Sequence, residues 1–158
     1  MNPSNMSSPV IISLIVAIIF QLIPVSGDWI LWRPNFLMLV TVAWILYKPA
    51  YFGIGFAAFV GLLADTVFRT GLGHYVLVFA ACGAIANLLS RWLTYFSYFH
   101  RAVLIFILVV FTGLLEAVLF SIRDMPVDFA HVPVLGLTSA IVWVLVDKFV
   151  AILNSTYR

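Results

Sequence analysis

The chain has 158 residues, 65% of them apolar and 9% charged, with a net charge of +2. Soluble domains run near about 45–50% apolar and about 25% charged, so a water-soluble fold of this composition would expose large apolar patches, a penalty that a lipid solvent removes. The absence of a Lys/Arg cluster excludes a nucleic-acid footprint, and the single cysteine, Cys82, sits in an apolar run and cannot form an intrachain disulfide.

Proline, glycine and polar residues cut the chain into apolar blocks, and the predicted spans are 9–25, 33–48, 50–68, 72–90, 102–122 and 132–153. The blocks are continuous apolar runs without the two-residue alternation of a transmembrane barrel. Helices close their hydrogen bonds within each segment, which lets such runs cross lipid. The predicted fold is therefore an all-α polytopic membrane protein, a single integral membrane domain over 1–158 with six transmembrane helices, or five if the second block does not cross.

The first block, Val10–Val25, ends in Val25-Ser26-Gly27, small residues of the kind found at leader cleavage sites. Met1–Ser8 carries no Lys or Arg, so the basic leader region is missing and the block reads as a retained membrane helix. The second, Asn35–Tyr47, lies between Pro34 and Lys48-Pro49 and is short against the roughly 20 residues of a spanning helix. It either gains length from Trp29–Trp32 or is a tilted or re-entrant piece.

In the third block, Tyr51–Phe68, residues Gly53, Ala57, Gly61 and Asp65 recur every four positions and form one stripe on a helix. Small residues at this spacing let two helix backbones approach. The facing helix is either block four, with Ala80 and Ala84, or a helix of another protein. Asp65 ends the stripe near the outer surface, where a charge is costly and usually paired or functional. It pairs with Arg69 four residues on, braces the Gly71-Leu72-Gly73 turn, or meets a partner or ligand.

Between blocks four and five, Arg91 and Arg101 bracket Trp92, Tyr95, Phe96, Tyr98 and Phe99. Such a segment lies flat at the inner surface or docks a cytoplasmic partner. Block five, Ala102–Ile122, holds Glu116 with Thr112 one turn earlier. A carboxylate there must be protonated, paired or facing a wet cavity. Its candidate partners are Asn87, Arg69, Arg91 or a group from another subunit. Block six, about Val132–Leu153, carries Asp147-Lys148 near its end, a pair that closes locally or snorkels. With the N-terminus cytoplasmic, five basic residues (Lys48, Arg91, Arg101, Lys148, Arg158) lie inside and three (Arg33, Arg69, Arg123) outside, which favours that orientation and puts both termini in the cytoplasm.

His74, His100 and His131 show no metal-ligand spacing, and no H-E-x-x-H, G-x-S-x-G or Gly-rich phosphate loop occurs. The residues thus predict no catalytic, metal or cofactor site. They leave a structural and interaction protein, with a small transporter or its substrate-binding subunit as the alternative. A transporter needs several polar groups converging on a pocket, and only Glu116 and Asn87 lie deep enough to serve.

One region goes beyond composition. Arg33-Pro34-Asn35-Phe36 leads into an apolar run ending Trp44-Ile45-Leu46-Tyr47-Lys48-Pro49; then come Gly53-Ile54-Gly55-Phe56, Gly61-Leu62-Leu63-Ala64-Asp65 and Gly71-Leu72-Gly73. In this order and spacing the series resembles the rod shape-determining protein MreD family. By motif the resemblance covers about Pro24–Ala80, and by length and hydropathy the whole chain. It implies a non-enzymatic inner-membrane component of the elongation machinery, the elongasome or Rod complex. It also implies association with the bitopic protein MreC, and through it with the transpeptidase PBP2, the glycosyltransferase RodA and MreB filaments, besides the surrounding membrane lipids. The implied fold is like the six-helix S-component of energy-coupling-factor transporters. The positions that match the family pattern are Arg33, Pro34, Asn35, Gly61, Asp65, Gly71 and Gly73. Arg33–Asn35 and Asp65–Gly73 both fall at the predicted outer face, so Arg33 or Asn35 meeting Asp65 at the mouth of the bundle is the expected site.

Overall fold

The computed structural model describes residues 3–24, 27, 33–68, 71–93, 97–123, 129 and 131–156. Among them are six α-helices and no strand: α1 (Pro3–Leu22), α2 (Phe36–Tyr47), α3 (Ile54–Phe68), α4 (His74–Leu93), α5 (Tyr98–Ile122) and α6 (His131–Thr156). Arg69, Trp29, Trp32, Tyr95 and Phe96 fall outside the described residues. Three stretches are long and apolar enough to cross a membrane: His74–Trp92, Phe99–Ile122 and His131–Ser155. Ser8–Leu22, Phe36–Tyr47 and Ile54–Phe68 are shorter apolar helices.

The short second block becomes the centre of the bundle. Helix α2 has 12 residues, about 18 Å of axis against a hydrocarbon core of about 30 Å. It avoids lipid by being surrounded: α1, α3, α4 and α6 all pack on it, and every residue from Leu37 to Ile45 is buried. A helix apolar on all sides has this solution open to it. Its one indole is satisfied inside the core, with Trp44 Nε1 donating to Ser13 Oγ of α1 at 2.7 Å.

Helix α3 starts later than its apolar block. Pro49 brings no N–H, and Tyr51 and Phe52 fold back to donate to the Lys48 carbonyl at 3.1 and 3.0 Å. Phe52 then packs between Trp44 and Phe56, with ring centroids 5.7 and 4.7 Å away. The described residues between Arg91 and Arg101 are largely helical. Helix α4 runs through Arg91 and Trp92 to Leu93, and α5 begins at Tyr98, so most of the segment extends the two helices.

The small-residue stripe of α3 faces α4. A Cβ on Gly61 would stand 2.5 Å from the Tyr75 carbonyl oxygen and 2.7 Å from Val76 Cα, so the two backbones touch there. One turn down the stripe, Ala57 is fully buried, and a Cβ on Gly83 of α4 would overlap its methyl. Gly53, before the helix, has open space around it.

Candidate functional site at the α3–α4 end of the bundle

Helix α3 ends where Asp65 turns into the bundle, 1% exposed. Its Oδ2 accepts from the Gly73 amide and its Oδ1 from the Tyr75 amide, both at 2.8 Å. The first amides of a helix have no partner within it, and here one carboxylate satisfies the start of α4 from another helix. The turn between needs its glycines. Gly73 has φ +98, which side-chain-bearing residues rarely adopt. At Gly71 a Cβ would fall 2.8 Å from Arg123 Nη1, so the Arg123 guanidinium at the end of α5 lies on the turn.

The first turn of α4 then reaches α5. The Tyr75 hydroxyl donates to Glu116 Oε1 at 2.7 Å. His74 Nε2 lies 4.0 Å from the same oxygen, beyond hydrogen-bond range. The His74 ring stacks on Phe120 at 4.4 Å and meets Tyr75 edge-on at 5.0 Å. It is 2% exposed, and among the described residues neither ring nitrogen has a hydrogen-bond partner. Asp65, His74, Tyr75, Glu116 and Arg123 thus form one polar cluster joining α3, α4 and α5.

Arg33, Pro34 and Asn35 do different work. Arg33 Nη2 donates to the Phe20 carbonyl in the last turn of α1 at 3.2 Å. Asn35 Oδ1 caps α2 by accepting from the Met38 amide at 3.2 Å. Gln21 Oε1 accepts from the Phe36 amide at 3.1 Å, tying the same two ends together. The motif is a joint between α1 and α2, and α1 does not contact α3. The hydrogen bonds described for Arg33 and Asn35 run to α1 and α2, and two described for Asp65 run to the Gly73 and Tyr75 amides.

Of the partners expected for Glu116, Arg69 lies outside the described residues, and the groups found beside it are Tyr75 and His74 rather than Asn87 or Arg91. Asn87 stands 12 positions past Tyr75 on α4, about 18 Å along its axis. The available signal was the His74-Tyr75 pair directly after the Gly71–Gly73 turn, two polar groups in the first turn of a helix. At the opposite end of the bundle, the Tyr47 hydroxyl donates to Asp147 Oδ1 at 2.9 Å, so Asp147 is held by α2. Among the described residues no group of three or more His, Cys, Asp or Glu is placed to hold a metal.

Polar side chains that cap and cross-brace apolar helices, around a core helix lined with aliphatic and aromatic groups, define an integral membrane protein of the polytopic α-helical class. The family model for the rod shape-determining protein MreD matches residues 4–155, nearly the whole chain. The chain belongs to the MreD family, a family of rod shape-determining membrane proteins. No solved structure matches it.

Proposed function

We propose that this chain is a non-enzymatic inner-membrane subunit of the cell-elongation (Rod) complex that binds MreC, maintaining rod shape and supporting peripheral peptidoglycan synthesis. The observation that carries the reading is the family match across residues 4–155. In this reading both termini are cytoplasmic, and PBP2, RodA and MreB are reached through MreC. The α3 stripe of Ala57 and Gly61 is occupied by α4. Docking of the MreC transmembrane helix therefore falls to outward faces, such as that of Ile107 and Leu114 on α5 or of Ile141 and Leu145 on α6, all exposed.

Depletion in a rod-shaped bacterium lacking a second copy tests the reading, with cell shape as the readout. Rounding and swelling are the expected result, and cells that keep their rod shape overturn it. Cysteine crosslinking to MreC from Ile107, Leu114, Ile141 and Leu145 then maps the docking face. Crosslinks confined to one helix identify it, and no crosslink from any of the four removes these faces from the proposal.

A further inference from the structure

Helices α4 and α5 are bonded at one end and part at the other. Past Phe111, α5 is tied to the bundle. Thr112 Oγ1 donates to Met38 Sδ of α2 at 3.2 Å, and Glu116 Oε1 accepts from the Tyr75 hydroxyl of α4 at 2.7 Å. Toward the C-terminus of α4, the two helices leave a groove of about 470 Å³ between them. Its volume falls within the range of small-molecule sites, about 300–1,000 Å³. Helix α4 contributes Leu89 to the lining, and α5 contributes Val103, Ile107, Leu108 and Phe111. Leu108 is buried at the bottom, whereas Val103, Ile107 and Phe111 are exposed along the rim, so the groove is open to lipid. These apolar walls give water nothing to bond, and a gap left empty forfeits the dispersion contacts of both walls. In a bilayer an apolar chain fills it.

Length and charge select that chain. His100 lines one end of the groove and Phe111 the other, eleven residues apart on α5, about 17 Å along the axis. That is close to half of a hydrocarbon core of about 30 Å, the depth of one leaflet. A transmembrane helix would run on past Phe111, where the groove has closed, whereas an acyl chain ends there. Helix α5 has 25 residues, about 37 Å and longer than the core, so its first turn, with His100 and Arg101, reaches the headgroups. Arg91 stands in the last turn of α4 at the same end, and no Asp or Glu occurs between Asp65 and Glu116. The groove thus opens at headgroup depth beside basic residues with no acid on either helix near them. We propose that it seats an acyl chain of an anionic phospholipid, with the headgroup phosphate on His100 and Arg101. Arg101 supplies the planar N–H fork that suits a phosphate. In the orientation proposed above, this is a lipid of the cytoplasmic leaflet. The groove between α1 and α6 is smaller, about 260 Å³, and has no basic residue in its lining, so it lacks the headgroup contact.

Native mass spectrometry of the purified full chain, released from nanodiscs of equal parts phosphatidylglycerol and phosphatidylcholine, tests the seat. The glycerol lipid is expected to be retained roughly tenfold over the choline lipid, the scale of one hydrogen bond to a charged group. Arg101→Gln brings the two lipids near parity, while Lys148→Gln, at an exposed position of α6, leaves the preference in place. Val103→Trp fills the groove with an indole and is expected to abolish retention of both lipids. Equal retention of the two lipids by the unmodified chain overturns the proposal. So does a loss of preference in Lys148→Gln as large as that in Arg101→Gln, which would assign the preference to surface charge in general. Undiminished retention in a folded Val103→Trp overturns it too, as does a crosslink in membranes from Val103→Cys to a helix of another protein, which would put protein in the groove. The first of these outcomes needs no variant, so a variant that does not fold leaves the proposal open to refutation.

Discussion

The α3–α4 and α5–α6 hairpins solve the same packing problem with different materials. Both bring glycines to the helix contact. In α3–α4 the glycine meets backbone: Gly61 lies against the Tyr75 carbonyl and Val76 Cα. In α5–α6 it meets the ends of side chains: a Cβ on Gly113 would stand 2.9 Å from Val132 Cγ1, and one on Gly136 2.7 Å from Val110 Cγ2. A valine methyl yields by a turn about χ1, at the cost of leaving its preferred rotamer, whereas two helix backbones move only if the helices part. The first hairpin is also closed by a charge at its turn, through Asp65. A close backbone contact and a buried carboxylate hold the short α3, which has 15 residues. The second hairpin has 25- and 26-residue helices that extend the contact instead.

The sharpest break of this comparison is the same substitution in both hairpins. Gly61→Ala is expected to cost about 3 kcal/mol, the upper part of the usual overpacking range, and Gly113→Ala about 1 kcal/mol. Thermal unfolding in detergent measures both, and equal losses would show that the α3–α4 backbones are free to part.

Next in size is the turn. Asp65→Ala removes the two charge-assisted bonds to the Gly73 and Tyr75 amides and is expected to destabilise by about 2 kcal/mol, and Asp65→Asn by about half of that. Hydrogen exchange at the Gly73 and Tyr75 amides should speed up in both, and unchanged protection there would move the cap elsewhere.

The cross-helix tyrosines come third. Tyr75→Phe loses the bond to Glu116 and Tyr47→Phe the bonds to the Asp147 carboxylate and carbonyl, an interhelical bond being worth on average about 0.6 kcal/mol between membrane helices. A loss above about 2 kcal/mol for Tyr75→Phe alone would mean that Glu116 depends on that hydroxyl far more than Asp147 depends on Tyr47. The smallest effect belongs to the outward face of the second hairpin. Leu145→Ala should stay within about 0.5 kcal/mol of the unmodified chain, because lipid tails are as apolar as the leucine they replace. A large loss would reveal that this face is covered by protein.

Membrane character, helix number and the R-P-N lead-in to α2 were legible in the residues, because lipid imposes its demand locally. Each crossing segment must be apolar and close its own hydrogen bonds, whatever its neighbours are. The run of Ala57, Gly61 and Asp65 along one face of α3 was legible too, since four-residue spacing alone puts side chains on one helix face, whereas Gly53 falls ahead of the helix. Which helix faces that stripe is a different kind of fact. Only the packed bundle makes α2 its core, turns Gly61 onto the Tyr75 carbonyl and sends Arg33 to the end of α1. The cluster of Asp65, His74, Tyr75, Glu116 and Arg123 spans 59 residue numbers from first to last. No periodicity links positions so far apart. Lateral order in lipid comes from close packing and a few polar contacts between helices, and those exist only once the helices have met.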